Sequence, residues 1–390
     1  MASEPRRAVL LGGAHGTVAL ARSLKAAGLE VWFLTDDTNI ACFSRAVGRV
    51  VRWCGAGHPL ALRALEEVAD ANSLRGSILI PAGDAEVRLV AEAHERLSSR
   101  FVVLTADWSQ LRWACDKALA YERAASLGLG VPRVYDAAQI ADVSQLQYPL
   151  VLKPAMRRQR NRLADAKAWQ VNDWTEFGAL YKAAAELVGD DNVIVQQLIP
   201  GGGENQVSYA GVWNSGEPVV SFTARRLRQY PVDFGYTSTF VETVRLDDVS
   251  LAAETFLRSI RHHGLVEVEF KRDPRDGSLK LLDVNPRPWS WLSLAAAAGI
   301  DLGAAIACIA SARPVPDMRA REGVAWLFLL RDLVALAQLH GLAAVPTCAA
   351  SWRRVRAAAA FAWTDPLPGI VDLPLTVMRV LGRRFKTGPR

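Results

Sequence analysis

The 390-residue chain has little of what staples or metallates a fold: five cysteines and six histidines. Cys42, Cys54, Cys115, Cys308 and Cys348 lack CxxC spacing and the histidines lack ligand spacing, which argues against a zinc module or disulfide framework and for a reducing, cytoplasmic setting. The opening MASEPRRAVLLGG lacks the apolar stretch and cleavage site of a secretory leader. Long apolar runs are also missing. Ala295 to Ala312 comes nearest, but Asp301 and two glycines interrupt it, so it reads as a buried helix. What remains, 51% apolar and 22% charged residues, suits two or three ordinary globular domains with large cores.

From Arg6 to Ala82 strand and helix patterns alternate. Ala8 to Leu11 and Leu29 to Leu34 read as strands around a helix from Thr17 to Ala27, entered through the loop Gly12-Gly13-Ala14-His15-Gly16. The loop lacks a full GxGxxG, and Asp36 or Asp37 is a weak match to a dinucleotide's ribose ligand. A further buried strand, Ser77 to Ile80, ends at Pro81-Ala82-Gly83-Asp84. There Asp84 either faces a substrate cleft or caps a helix from Ala85 to Leu97, capping being the default.

The most informative stretch is Gly264 to Trp289. Strands Leu265 to Lys271 and Leu279 to Val284 flank the turn Asp273-Pro274-Arg275-Asp276-Gly277. Pairing them brings Glu269 close to Asp283 and Asn285 on one face, three hard oxygen donors suited to Mg²⁺. Arg287 follows within reach of a phosphate or a developing oxyanion. A solvated acidic hairpin is the plain alternative, yet Asp283 and Asn285 interrupt an otherwise apolar strand. Upstream, the apolar run Tyr148 to Leu152 presents Lys153 at its end, and Asp116-Lys117 opens a helix that continues to Leu127. Asn192 to Gly203 reads as a strand passing into a glycine-rich turn.

In this order these segments resemble the ATP-grasp ligases, well from Asp116 to Asp301 and more weakly from Arg6 to Asp107. The resemblance implies an α/β chain with a Rossmann-like N-terminal domain (1–110), a small ATP-grasp lobe (111–200), a large lobe with the metal site (201–315) and a helical C-terminal extension (316–390). It implies ATP and Mg²⁺, with Mn²⁺ as a substitute, held by Glu269, Asp283 and Asn285. Lys117 and Lys153 then steady phosphates, Gln197, Leu198 and Ile199 line the adenine, and Glu204 takes the ribose. Ser221 to Val244 reads as two β-rich runs flanking a polar loop with Arg225, Arg226 and Arg228, followed by Gly235-Tyr236-Thr237-Ser238-Thr239. It is similar to the acceptor side of amino-acid ligases of the D-aspartate ligase type, in the wider carbamoyl-phosphate-synthase-like group. By that likeness Arg225 or Arg226 stabilises the transferred phosphoryl group, Ser238 or Thr239 binds substrate, and Arg287 serves the tetrahedral oxyanion.

The implied activity is an ADP-forming carboxylate–amine ligase that joins a carboxylate to an amine, an amino acid or peptide, through an acyl phosphate. Activation of bicarbonate or another acceptor is the alternative, as is a non-catalytic nucleotide-binding protein of the same fold. The chain departs from the family in one place. Between Lys153 and Trp169, where relatives carry a glycine-rich flap, it has Arg157, Arg158, Arg160 and Arg162 and no glycine. These either clamp an anion or form an exposed basic loop. His262 and His263 read as helix-end residues with one a candidate base. Trp326, Trp352 and Trp363 read as anchors packing helices on the core. No nucleic-acid partner is expected. The C-terminal basic residues read as a solvated face, with contact to an anionic membrane surface as the other reading.

Overall fold

The computed structural model describes residues 4–156, 161–166, 168–232, 237–341 and 351–386. Arg157, Arg158, Arg160, Gly235 and Tyr236 lie outside them.

The first sheet is all parallel. β1 (Arg7–Leu11), β2 (Glu30–Thr35), β3 (Arg49–Arg52), β4 (Ile78–Pro81) and β5 (Val102–Val103) lie in the order β3-β2-β1-β4-β5. Successive residues of β1 point into two cores. Ala8 and Leu10 join the cluster shared with the large sheet, whereas Val9 and Leu11 join a separate one under the helix Ala61–Ala71. Burial on both faces is why β1 reads as a continuous apolar run. The first helix starts at His15, and Gly16 lets it approach the chain after the hairpin. A Cβ at Gly16 would lie 2.7 Å from the carbonyl oxygen of Trp289 and 2.8 Å from that of Pro288.

A small antiparallel sheet follows, order β7-β6-β8, from β6 (Leu150–Pro154), β7 (Trp169–Val171) and β8 (Val193–Gln197). The large sheet has the order β13-β12-β9-β10-β11-β14-β15. Its strands are β9 (Gln206–Asn214), β10 (Glu217–Tyr230), β11 (Thr237–Thr243), β12 (Gly264–Arg272), β13 (Leu279–Asn285), β14 (Ala325–Leu327) and β15 (Val355–Ala358).

Several sequence readings need correction. Arg225, Arg226 and Arg228 sit within β10, not in a loop. The apolar run from Ala295 is two helices, Ser293–Ala298 and Leu302–Ala310, broken by Gly299 at φ +98° and capped by Asp301, which accepts from the Ala304 N–H at 3.0 Å. Residues beyond 315 form the expected helical extension, Leu329–His340 and Leu367–Lys386, and add β14 and β15 to the large sheet. Trp326 is fully buried and Trp352 donates to Asp332 at 3.1 Å, but Trp363 is 90% exposed and anchors nothing.

Candidate functional site

The β12–β13 hairpin carries the site. Gly277, at φ +73°, and the bond from Gly277 N–H to the Asp273 carbonyl (2.8 Å) close its turn. Glu269 then pairs with Asp283, and Glu267 with Asn285. The register shifts between Glu269 and Phe270, leaving Leu282 as an extra residue opposite β12. That bulge turns Leu281 and Val284 into the core while Asp283 lines the open side. On β12, Val266, Val268 and Phe270 face the same core, so Glu267, Glu269 and Lys271 face away from it.

Two cavities meet at this hairpin. One, of about 400 Å³, lies between the small and large sheets and is lined by Val151, Lys153, Leu198, Ile199, Gly202 and Lys271 among others. The other is a cleft of about 1070 Å³ reaching to the N-terminal domain, lined by His15, Asp84, Arg226, Ser238, Asn285, Arg287 and Arg331 among others. Lys117, Glu269 and Asp283 line both.

The charges at the junction are matched. Lys117, the first residue of a helix capped by Asp116, donates to Asp283 Oδ1 at 2.7 Å. Arg226 donates to Glu269 Oε2 at 3.3 Å and also bonds Gln206. The Asn285 amide N–H₂ spans Glu269 (3.1 Å) and Glu267 (3.3 Å). Among the described residues no three His, Cys, Asp or Glu side chains form a ready metal cage. Two carboxylates and an amide are nonetheless what Mg²⁺ takes from a protein when phosphates and water complete its shell.

Lys153 is buried at the end of β6 and donates to the Tyr121 hydroxyl at 2.5 Å, which donates to the Leu282 carbonyl at 2.9 Å. Burial holds the Tyr121 hydroxyl well above its usual pKa, so it stays protonated. Gln197 is not among the residues lining the smaller cavity, whereas its neighbour Gln196 lines it beside Leu198 and Ile199. Glu204 stands just outside the lining, its carboxylate accepting from the Gly202 N–H at 2.9 Å. Of the paired arginines, Arg226 is buried in the cleft and Arg225 is exposed.

Arg287 donates to Asp84 and, at 3.4 Å, to Asn285 Oδ1. Burial opposes its charge, but the nearby Asp84, Glu267 and Asp283 carboxylates together outweigh that and raise its pKa. Asp84 is therefore not the cap expected from sequence. Gly83 occupies the N-cap of the helix Asp84–Glu92, and Asp84 faces the cleft. His262 does not titrate near neutrality as the base reading required. It is buried, and desolvation pushes its pKa down to about 3, so it stays neutral at the opposite end of β12.

Five contributors escaped the sequence reading. Glu267 accepts from the Trp291 indole N–H at 2.9 Å, and Lys271 donates to the carbonyls of Ile199 (2.8 Å) and Gly201 (2.5 Å), tying the segment after β8 to β12. Both were signalled by two-residue spacing from Glu269. Tyr121, Arg331 and His15 carried no local signal. Arg331 donates to Thr237 at 2.5 Å, and His15 Nε2 lies 3.2 Å from both Asp372 oxygens.

Three sheets in this order, with two cavities meeting at an acidic hairpin, define the class: the chain has the ATP-grasp fold. Among its relatives, a D-aspartate ligase of Enterococcus faecium (strain Aus0004) is 24% identical over 222 residues, 54% of this chain and 53% of the relative. The chain thus spans about half the length of that curated relative. No family model matches. The biotin carboxylase domain of Hydrogenobacter thermophilus 2-oxoglutarate carboxylase, with MgADP, ADP and bicarbonate, superposes at TM-score 0.64 with 12% identity, over 83% of this chain and 74% of that one. Staphylococcus aureus N5-carboxyaminoimidazole synthetase complexed with ADP gives 0.61 at 14%, over 82% and 81%. Bacillus licheniformis L-amino acid ligase gives 0.58 at 14%, over 83% and 79%.

Proposed function

We propose that the chain is an ATP-dependent carboxylate–amine ligase that forms an amide through an acyl phosphate and releases ADP and phosphate. The observation that carries this is the shared lining: Lys117, Glu269 and Asp283 belong both to the cavity between the small and large sheets and to the larger cleft. A phosphoryl group leaving a nucleotide in one cavity would emerge at the wall of the other.

In this reading Leu198 and Ile199 bound the adenine, with Gln197 contributing backbone only and Glu204 turning from Gly202 to the ribose. Lys153 and Lys117 neutralise phosphates. Glu269, Asp283 and Asn285 hold Mg²⁺, or Mn²⁺ in its place, which when bound supplies charge neutralisation at the phosphates. With a metal held there, Lys117 and Arg226, bonded to those carboxylates here, would be free to serve the nucleotide and the cleft they line.

A substrate carboxylate in the cleft attacks the γ-phosphorus and ADP leaves. An amine next attacks the acyl carbonyl, and phosphate leaves as the amide forms. Arg287 stands where the tetrahedral oxyanion develops, and Arg226 where the transferred phosphoryl group passes. Ser238 lines the substrate side. The relative's name makes D-aspartate the first carboxylate to try. Bicarbonate is the second, since a structural neighbour binds it. The free cysteines Cys42, Cys54, Cys115 and Cys308 and the ATP requirement support a cytoplasmic site of action.

The test offers ATP and Mg²⁺ with D-aspartate, bicarbonate or an equimolar amino-acid mixture, and follows ADP release and product mass. Amide-forming ADP release supports the reading. Release with bicarbonate alone replaces it with the alternative.

A further inference from the structure

The helix Leu367–Lys386 docks on the body by one face only. Val371 and Leu375 pack on the main core, and Asp372 is buried against His15. The opposite face carries Ile370, Leu373 and Val377, exposed by 60, 50 and 45%. Positions 370, 373 and 377 form one helical stripe. Trp363, just before the helix, is 90% exposed. Single exposed apolar side chains are ordinary, but a continuous stripe on a helix marks something that covers it.

Charge selects what covers it. From Phe361 to Lys386 the acidic residues are Asp365 and Asp372, and both are buried, the first against Arg22 and the second against His15. The other ionic residues of the segment are Arg379, Arg383, Arg384 and Lys386, and Arg353 and Arg356 are exposed nearby in sequence. Among the described residues no helix is long and apolar enough to cross a membrane. We infer that this face seats on an anionic phospholipid bilayer, its apolar stripe at the boundary of headgroups and acyl chains and its cationic end against lipid phosphates. A second copy of the chain would set like charges against each other. A nucleic acid would leave the apolar stripe uncovered.

The experiment is co-sedimentation of the full chain with vesicles of phosphatidylcholine alone or mixed with phosphatidylglycerol, at low and high salt. Wild-type and the variant L373E/V377E are compared, with size-exclusion light scattering alongside. The expected result is binding to mixed vesicles about tenfold or more above phosphatidylcholine, weakened by salt and lost by a similar factor in the variant. ATP turnover of the variant is unchanged, which separates this inference from the ligase reading. Should L373E/V377E melt below wild-type, I370E carries the same comparison. Absent or salt-insensitive binding, binding untouched by the substitutions, or a wild-type dimer that the variant breaks would each overturn the inference.

Discussion

At the scale of single residues, the junction of the two cavities decides activity. D283A/N285A removes two of three proposed oxygen donors from positions that are only partly buried, so the fold is expected to survive and ADP formation to fall at least about a hundredfold. Steady-state ADP release with a circular-dichroism melt checks both halves. K153A should lower turnover by a comparable factor, because it strips a buried cation from the smaller cavity and leaves the Tyr121 hydroxyl without its donor. Spacing alone made Glu269, Asp283 and Asn285 legible, since period two and a turn dictate who faces whom. Tyr121 and Arg331 were not legible: each lies more than ninety residues from its partner at Leu282 or Thr237.

Glu86 gives a prediction about pH. Burial, then the nearby Asp36 and Asp84 charges, raises its carboxyl pKa from 4.5 to about 7, although its backbone hydrogen bond works the other way. Between those values the folded chain holds a proton that the unfolded chain has lost. Its contribution to stability is therefore full below pH 4.5 and is lost as pH rises through about 7. E86Q should gain roughly 1–3 kcal/mol at pH 8 and nothing at pH 4, read from denaturant melts at the two pH values.

At the scale of elements, the hairpin and the first helix were both foreseen, with boundaries shifted by one or two residues. The bulge at Leu282 was not foreseen, because strict alternation from Leu281 would have sent Asp283 into the core. Nor did periodicity foresee that the first helix abuts the hairpin's exit. G16A sets a methyl group against the carbonyls of Pro288 and Trp289, which are backbone and cannot swing away. It should cost roughly 1–3 kcal/mol in a thermal melt and lower turnover as well, because Arg287 precedes that segment.

At the scale of the whole molecule, the segment after residue 315 belongs to the body more than its sequence suggests. β14 and β15 extend the large sheet, and Asp365 accepts from Ser44 (2.6 Å), the Arg45 N–H (2.9 Å) and Arg22 (2.9 Å) of the first domain. Burial alone would raise the Asp365 pKa, but the Ser44, Arg45 and Arg22 contacts outweigh it and hold the pKa below 3.8. That stability is present above the unfolded value and lost as pH falls through the folded one. D365A should cost roughly 3–5 kcal/mol at neutral pH by leaving Arg22 without its buried partner, seen as an earlier denaturant midpoint. These links join residues more than three hundred positions apart, so no local pattern announced them.

The claim that joins these scales is that one hairpin serves a nucleotide in one cavity and a carboxylate in the other. It is tested most directly by incubating wild-type and D283A/N285A with ATP, Mg²⁺, ¹⁸O-carboxylate-labelled D-aspartate and an amino-acid mixture, then weighing product and phosphate. The account predicts an amide lighter than its two parts by one water, with one ¹⁸O in the released phosphate, in wild-type alone. Amide without label in phosphate, or equal turnover by the variant, would contradict it.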